Sequence, residues 1–420
     1  MKKPSVAEGL DFINYNWLEL GLRVMVERYD NDGSAELTFY KKNGVSEFAL
    51  YKGKVNLLST QTQNSLVKRL KENDPEAPWV DILTSVSIET VDIARRGEPV
   101  VPIGKKPESM KVEYQLEPIL EKNQPTTIYS PGGHAKSYIA AYIACLVQFN
   151  TNGISDAQNN WKPLKGNVLY LDWEASKNDH ERRVWAIKQG LGIDTEDTFL
   201  YRFCHQPLVS DIYSIQRLVS DNNINLTIID SQMAASGYGH DPSQVSSQYY
   251  NALRSLRCTT LTLDHVSKAE WGKTTDSDNS TGPYGSVVKF NRSRSQFEIK
   301  KSQTAGDNHI EIALIHRKHN EGRLMKPMGL RIEFTNNSDN ELEKVTFSTC
   351  DIKDNPELSK AQTLRDRLID LLKDEPGTVK ELADKVDKPE GTIRMELNRK
   401  ANKKIFAKSG DQWGLLALDY

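Results

Sequence analysis

Lys136 and Ser137 close the stretch Thr126-Thr-Ile-Tyr-Ser-Pro-Gly-Gly-His-Ala-Lys-Ser137, in which a short apolar strand runs into a glycine-containing loop. An apolar helix, Tyr138 to Phe149, opens directly behind it. That is the layout of a phosphate-binding loop. Backbone N–H groups hold phosphate oxygens, the lysine reaches the β/γ-phosphates, and the serine hydroxyl takes Mg²⁺. The candidate contacts to a nucleoside triphosphate are Ser130, Pro131, Gly132, Gly133, His134, Ala135, Lys136, Ser137 and Tyr138. The usual spacing puts glycines where this chain has Ser130 and Ala135. Gly132 and Gly133 still supply conformational freedom, whereas Ala135 adds a Cβ where backbone must approach phosphate. A plain βα turn with an incidental Lys-Ser is the other reading of the same residues.

Three acids or bases downstream must be positioned against that loop. Asn167-Val-Leu-Tyr-Leu-Asp-Trp-Glu174, Asn225-Leu-Thr-Ile-Ile-Asp230 and Thr259-Thr-Leu-Thr-Leu-Asp-His265 are apolar runs with polar ends. Strands apolar on both faces belong to a parallel sheet covered by helices. Helical patterns lie between them, at about 178–191, 211–221 and 243–256, so the expected core is α/β and doubly wound. Its polar strand ends gather at the carboxyl edge, where ligands bind. Asp230 has the setting of an aspartate that orients the Mg²⁺ shell. No second acid follows it, so Glu174 is the candidate that positions water, and His265 the candidate that senses a γ-phosphate. Each could equally be a solvated strand end.

Ser130-Pro-Gly-Gly-His-Ala-Lys-Ser137, Val168-Leu-Tyr-Leu-Asp-Trp-Glu174, Ile228-Ile-Asp-Ser231 and Leu263-Asp-His-Val-Ser-Lys268 resemble the motif series of the RepA-like ATPases of the RecA/DnaB superfamily. That family is typified by a hexameric replicative helicase. Gly285 to Arg294 is similar to the segment that supplies an arginine finger to the next subunit, and Leu314 to Asn320 to a late basic strand. The resemblance covers about 114–347. It implies a RecA-like P-loop NTPase core, ATP bound between subunits, and a homo-oligomeric ring with single-stranded DNA in its channel. Lys136, Glu174, His265 and Arg294 are the implied catalytic residues, with Arg317 or Lys318 next in line as the finger. Ser137 and Asp230 are the implied Mg²⁺ ligands.

Flanking regions divide the chain into about 1–110, 111–355 and 356–420. The first reads as an α+β accessory region, with strand-like Ala35 to Tyr40 and helical Gln63 to Lys71 and Trp79 to Ser85. It is either a structural appendage or a docking module. The last reads as helices at 360–373, 379–386 and 391–401, followed by a hairpin at 404–407 and 412–416. That is a winged-helix pattern. Arg394, Asn398, Arg399 and Lys400 lie on the helix such a fold offers to duplex DNA, although winged helices also serve protein contacts. The polar loop from Ser267 to Gly285, with Lys268, Trp271 and Lys273, is a candidate contact to single-stranded DNA, and Ser231 to Gln244 is a second.

The chain has 420 residues with a net charge of −2, so no global basic field advertises nucleic acid. Cys145, Cys204, Cys258 and Cys350 are far apart and read as reduced thiols. No signal peptide or membrane span is evident, and a cytoplasmic location is expected. A replicative ring helicase, a DNA-binding ATPase switch that does not unwind, and a nucleotide-binding scaffold with weak hydrolysis all fit these residues.

Overall fold

The computed structural model describes residues 3–9, 12–30, 32–44, 46–96, 100–106, 109–155, 160–194, 196–266, 287–359 and 362–416. The chain divides into two compact units, Met1–Lys111 with Asp211–Asn223, and Val112–Ser210 with Ile224–Tyr420.

The first unit carries a five-stranded antiparallel sheet in chain order: β1 (Ser5–Glu8), β2 (Phe12–Trp17), β3 (Leu22–Glu27), β4 (Ser34–Asn43) and β5 (Ser46–Asn56). Alternation puts Val24, Val26, Leu37 and Phe39 on the buried face. Helices α1 (Thr60–Asn73) and α2 (Trp79–Arg96) cover that face. Trp79 meets Phe39 edge-on at 5.9 Å, and the buried Tyr15 hydroxyl shares a 2.9 Å hydrogen bond with Thr90.

In the second unit, β6 (Tyr114–Glu117), β7 (Leu120–Glu121) and β9 (Lys162–Pro163) form a small antiparallel sheet beside the main one. The main sheet has nine strands. In spatial order they are β11 (Leu200–Phe203), β10 (Asn167–Asp172), β12 (Ile224–Asp230), β13 (Thr259–His265), β8 (Pro125–Ser130), β14 (Ser295–Ser302), β15 (His309–His319), β16 (Met328–Asn336) and β17 (Leu342–Thr349). The six from β11 to β14 run parallel, and β15, β16 and β17 continue antiparallel. The continuous apolar runs expected to be two-face-buried strands are β8, β10, β12 and β13, and only Asn167, Asn225 and His265 in them escape burial.

Helix α3 (Lys136–Phe149) follows β8 and is apolar on all sides because it is enclosed. Helix α4 (Lys177–Leu191) starts at a capping box between Ser176 and Asp179, one residue earlier than the pattern suggested. On α4, a Cβ built at Gly190 would stand 1.8 Å from the Val345 carbonyl oxygen of β17, so only glycine permits this approach. Helix α5 (Leu208–Asp221) precedes β12; the short α6 (Gln232–Ser236) and α7 (Pro242–Ser255), capped by Asp241, precede β13. Helix α8 (Val287–Arg292) leads into β14.

Past the short α9 (Pro356–Ser359) come three helices, α10 (Leu364–Asp374), α11 (Val379–Val386) and α12 (Glu390–Asn398). With them goes a three-stranded sheet of β18 (Gly377–Thr378), β20 (Gln412–Leu415) and β19 (Phe406–Ser409), in that order. Leu368, Leu382, Ile393, Leu397 and Trp413 form their common core. Helix α10 starts only at Leu364 because the Thr363 hydroxyl caps it by accepting the Asp366 N–H. Helix α12 stops at Asn398 because Arg399 leaves helical geometry at ψ 137°. No helix among the described residues is long and apolar enough to cross a membrane.

Candidate functional site at the carboxyl edge of the parallel sheet

The strand order decides what the loop residues meet. Strand β13 lies between β8, which feeds the loop, and β12, which ends in Asp230, so His265 comes up between Lys136 and the acids. Ligands bind at the carboxyl ends of the strands in sheets of this kind.

Lys136 is the first residue of α3 and only 6% exposed. Its ammonium donates to the Ser130 carbonyl at 3.0 Å, the Pro131 carbonyl at 3.0 Å and Ser130 Oγ at 3.2 Å, and lies 3.4 Å from His265 Nδ1. Burial pushes it down to about 8. An incoming phosphate would give this buried ammonium a directly bonded counter-charge, which favours its charged form. Ala135 sits in the left-handed region at φ 61°, as does Gly133 at φ 73°. A Cβ in that region costs about 1–2 kcal/mol, so Ala135 stores strain where the usual glycine stores none. His134 Nδ1 lies 3.0 Å from the Gly132 carbonyl; burial holds its ring below the ordinary range, with a contribution from the nearby Lys301 charge. Tyr138 is half-buried, edge-on to Phe334 at 5.2 Å.

Ser137 Oγ and the Tyr170 hydroxyl each donate to Asp230 Oδ2 at 2.8 Å. Asp230 is 5% exposed, and burial raises its carboxyl. A buried carboxylate beside a hydroxyl, with no cationic group bonded to it among the described residues, fits a hard divalent cation that also takes phosphate oxygens. Ser137 and Asp230 are the residues that could hold Mg²⁺ here.

Glu174 lies beyond β10 on a turn, open to solvent. It accepts from Ser231 Oγ and stands 3.5 Å from His265 Nε2. The His265 contact, above all, holds its carboxyl below the ordinary range. Glu174 is therefore ionised, as a proton acceptor must be. Asp264, directly before His265, is a buried partner of Lys289 at 2.9 Å rather than a site residue.

Lys136, His265 and Glu174 thus form one chain of contacts and Ser137 with Asp230 a second, joined through the neighbours Lys136-Ser137 and Asp230-Ser231. Tyr170 and Ser231, which complete them, carried weak sequence signals: one faces inward on β10, and the other only follows Asp230.

Arg294 is elsewhere. Its N–H donates to the Pro125 carbonyl at 2.9 Å, and Ser295 pairs with Thr126, so it stands at the amino end of β8. The loop stands at the other end, about 16 Å away at ~3.3 Å per residue. Arg294 cannot reach its own chain's loop. Arg317 is occupied by Glu298 at 2.7 Å, and Lys318 by the carbonyls of Phe290, Asn291 and Ser293. No side-chain hydrogen bond or ion pair to Arg294 is present among the described residues, and burial together with the Arg292 and Arg294 charges depresses Arg254.

In the C-terminal helices Arg394 is exposed and 3.7 Å from Glu390, and Asn398 donates to the Arg394 carbonyl at 2.7 Å. Arg399 and Lys400 belong to the turn after α12 rather than to the helix, and Arg399 pairs with Glu396 at 3.0 Å. Lys268, Trp271 and Lys273 lie outside the described residues.

Residues 94–270 match the family model described as an AAA domain. No curated protein matches the chain in sequence. Among solved structures it is similar to a KaiC-like protein from the hyperthermophilic archaeon Pyrococcus horikoshii, at 13% identity and a TM-score of 0.36, covering 55% of this chain and 93% of that one. It is also similar to a DnaB-like replicative helicase studied with primase, at 14% identity and a TM-score of 0.38, covering 53% of this chain and 57% of that one. The AAA-domain match spans the loop, Glu174, Asp230 and His265. With the strand order above, it supports an α/β P-loop NTPase.

Proposed function

We propose that this chain is an ATP-hydrolysing, DNA-binding motor of the RepA-like ring-helicase kind, acting in DNA replication. The observation that carries the ATPase part is the contact set Lys136–His265–Glu174–Ser231 beside Ser137–Asp230 at one sheet edge. Loop N–H groups seat the phosphates, and Lys136 exchanges its carbonyl partners for phosphate oxygens. Mg²⁺ held by Ser137 and Asp230 would offset phosphate charge. Glu174 orients the attacking water and takes its proton, and His265 reports the γ-phosphate to Glu174. Arg294 completes the site of a neighbouring copy, which calls for a ring, by resemblance a hexamer, in the cytoplasm. Residues 1–110, 111–355 and 356–420 are its accessory, motor and winged-helix domains.

Glu174→Gln keeps the size of the side chain but not its basicity. It is expected to bind ATP as the parent does and to hydrolyse it about 10²–10⁴-fold more slowly, the usual contribution of a positioned base. Phosphate release and equilibrium binding of a fluorescent ATP analogue check this, with and without single-stranded DNA. Parent-like turnover in the variant removes Glu174 from the role.

The winged-helix reading rests on three helices and a hairpin around one core, with Arg394, Asn398, Arg399 and Lys400 exposed. Arg394→Ala and Lys400→Ala are each expected to weaken duplex binding by the full-length protein and to lower its salt slope by about one unit. Fluorescence anisotropy over a salt series reads both. An unchanged slope in both reassigns the domain to protein contacts.

A nucleotide-binding scaffold with weak hydrolysis is the second reading. The strained Ala135 in the loop favours it. A measurement of DNA-stimulated ATP hydrolysis separates the two.

A further inference from the structure

Glu174 is exposed, and its usefulness depends on where its turn is held. The turn is held by a residue with no role so far. Asp172 ends β10 and is fully buried. Its Oδ1 accepts the N–H of Glu174 at 2.9 Å and that of Ala175 at 3.0 Å. Its Oδ2 accepts from the Tyr201 hydroxyl at 2.9 Å and lies 3.1 Å from His180 Nε2. Both oxygens are thus taken up inside the protein, which removes Asp172 as an alternative base for water. The contacts continue outward: His180 Nδ1 lies 3.3 Å from an Arg183 nitrogen, and the Arg183 guanidinium lies 4.9 Å over the ring of Tyr138, the residue after Ser137. Among the described residues, Arg183 Nε and His180 Nε2 are buried without a hydrogen-bond partner, so His180 meets the Asp172 carboxylate as a close contact rather than a hydrogen bond.

We propose that Asp172 is a positioning residue for hydrolysis: its carboxylate fixes the turn that aims Glu174, Tyr201 and His180 hold that carboxylate, and Arg183 ties it to the first turn of the phosphate-loop helix. The inference rests on the ATPase reading and adds to it the residue through which Glu174 acts. A misplacement of about 1 Å at a reacting group is enough to cost ~10²-fold in rate. The loss should fall on kcat and leave nucleotide affinity alone, because the loop is not touched.

The test uses the full-length protein, with steady-state hydrolysis and equilibrium binding of a fluorescent ATP analogue measured together. Asp172→Ala leaves two N–H groups without their acceptor. It is expected to lower kcat by about 10- to 100-fold while KM and analogue affinity stay within about twofold. Asp172→Asn keeps an acceptor oxygen for the same two N–H groups and is expected to recover most of that loss. Tyr201→Phe deletes one hydroxyl, keeps the ring, and is expected to lower kcat several-fold at unchanged KM. The proposal is overturned if Asp172→Ala turns over like the parent, if its affinity collapses along with kcat, or if Asp172→Asn is as inactive as Asp172→Ala, which would make the negative charge and not the geometry essential. Should Asp172→Ala fail to fold, Tyr201→Phe decides, and parent-like kcat there overturns it. A parent protein that hydrolyses no ATP overturns the ATPase reading itself. A parent that does, with Glu174→Gln silent and Asp172→Ala fully active, overturns this inference alone.

Discussion

Lys136→Ala is expected to leave a folded protein that binds ATP about 10- to 100-fold more weakly, the range of one lost charged hydrogen bond, and hydrolyses it at background rate. The side chain is enclosed, and its ammonium already lies among the Ser130 and Pro131 carbonyls at the end of β8, where the phosphates would enter. Burial has lowered its affinity for a proton, so it is poised to gain most from an anion. No other lysine bonds the loop carbonyls among the described residues, and His134, held neutral by burial, cannot replace the charge. Calorimetric titration with ATP and a phosphate-release assay measure the two quantities. A thermal melt checks the fold, because truncation also strips two carbonyls of their donor. Lys136→Gln, which keeps a donor but no charge, separates the two effects: it should restore the melt and not the binding. Unchanged affinity and turnover in Lys136→Ala would end the phosphate-loop assignment.

Arg294→Ala is expected to cost about 10³–10⁵ in turnover, the scale of an arginine finger, with ATP affinity much less affected. Arg294 stands at the amino end of β8, away from its own loop and close enough to Arg254 for their like charges to interact, with no ion pair to it among the described residues. Its guanidinium is always charged and offers forked donors, which suits a γ-phosphate with charge spread over three oxygens. A mixing experiment tests action between subunits. Arg294→Ala protein has an intact loop, and Lys136→Ala protein an intact finger, so mixed assemblies contain some complete interfaces and activity should reappear. Full activity of Arg294→Ala alone passes the role to Arg292, since Arg317 is bound to Glu298 and Lys318 to three carbonyls. An inactive variant that no mixing rescues, in assemblies shown to be mixed, refutes action in trans.

The residues with local signals were legible from the chain. Thr126 to Ser137 announced a strand, a loop and a helix because apolar runs, glycines and a Lys-Ser pair are neighbours in sequence. The four core strands were visible because two-face burial demands unbroken apolar runs. Element ends were less legible. Helix α10 starts where Thr363 caps it, and α12 stops where Arg399 turns out, which moves two of the four candidate DNA contacts off the helix.

What the sequence by itself determined, then, is a strand–loop–helix unit that closes in Lys136 and Ser137, the basis of the proposed phosphate loop, and polar strand ends available to serve it. Only the tertiary structure decided who meets whom. The insertion of β13 between β8 and β12 brings His265 to both Lys136 and Glu174, and the β8–β14 register sends Arg294 to the far edge. It also turned Asp172, two residues from Glu174 and outwardly similar, into a fully buried support that accepts two N–H groups and a hydroxyl. The physical reason is that burial and helix or strand period are encoded within a few neighbouring residues. Strand order, register and the partners of a buried carboxylate depend on pairings between residues tens of positions apart, and no local pattern records those.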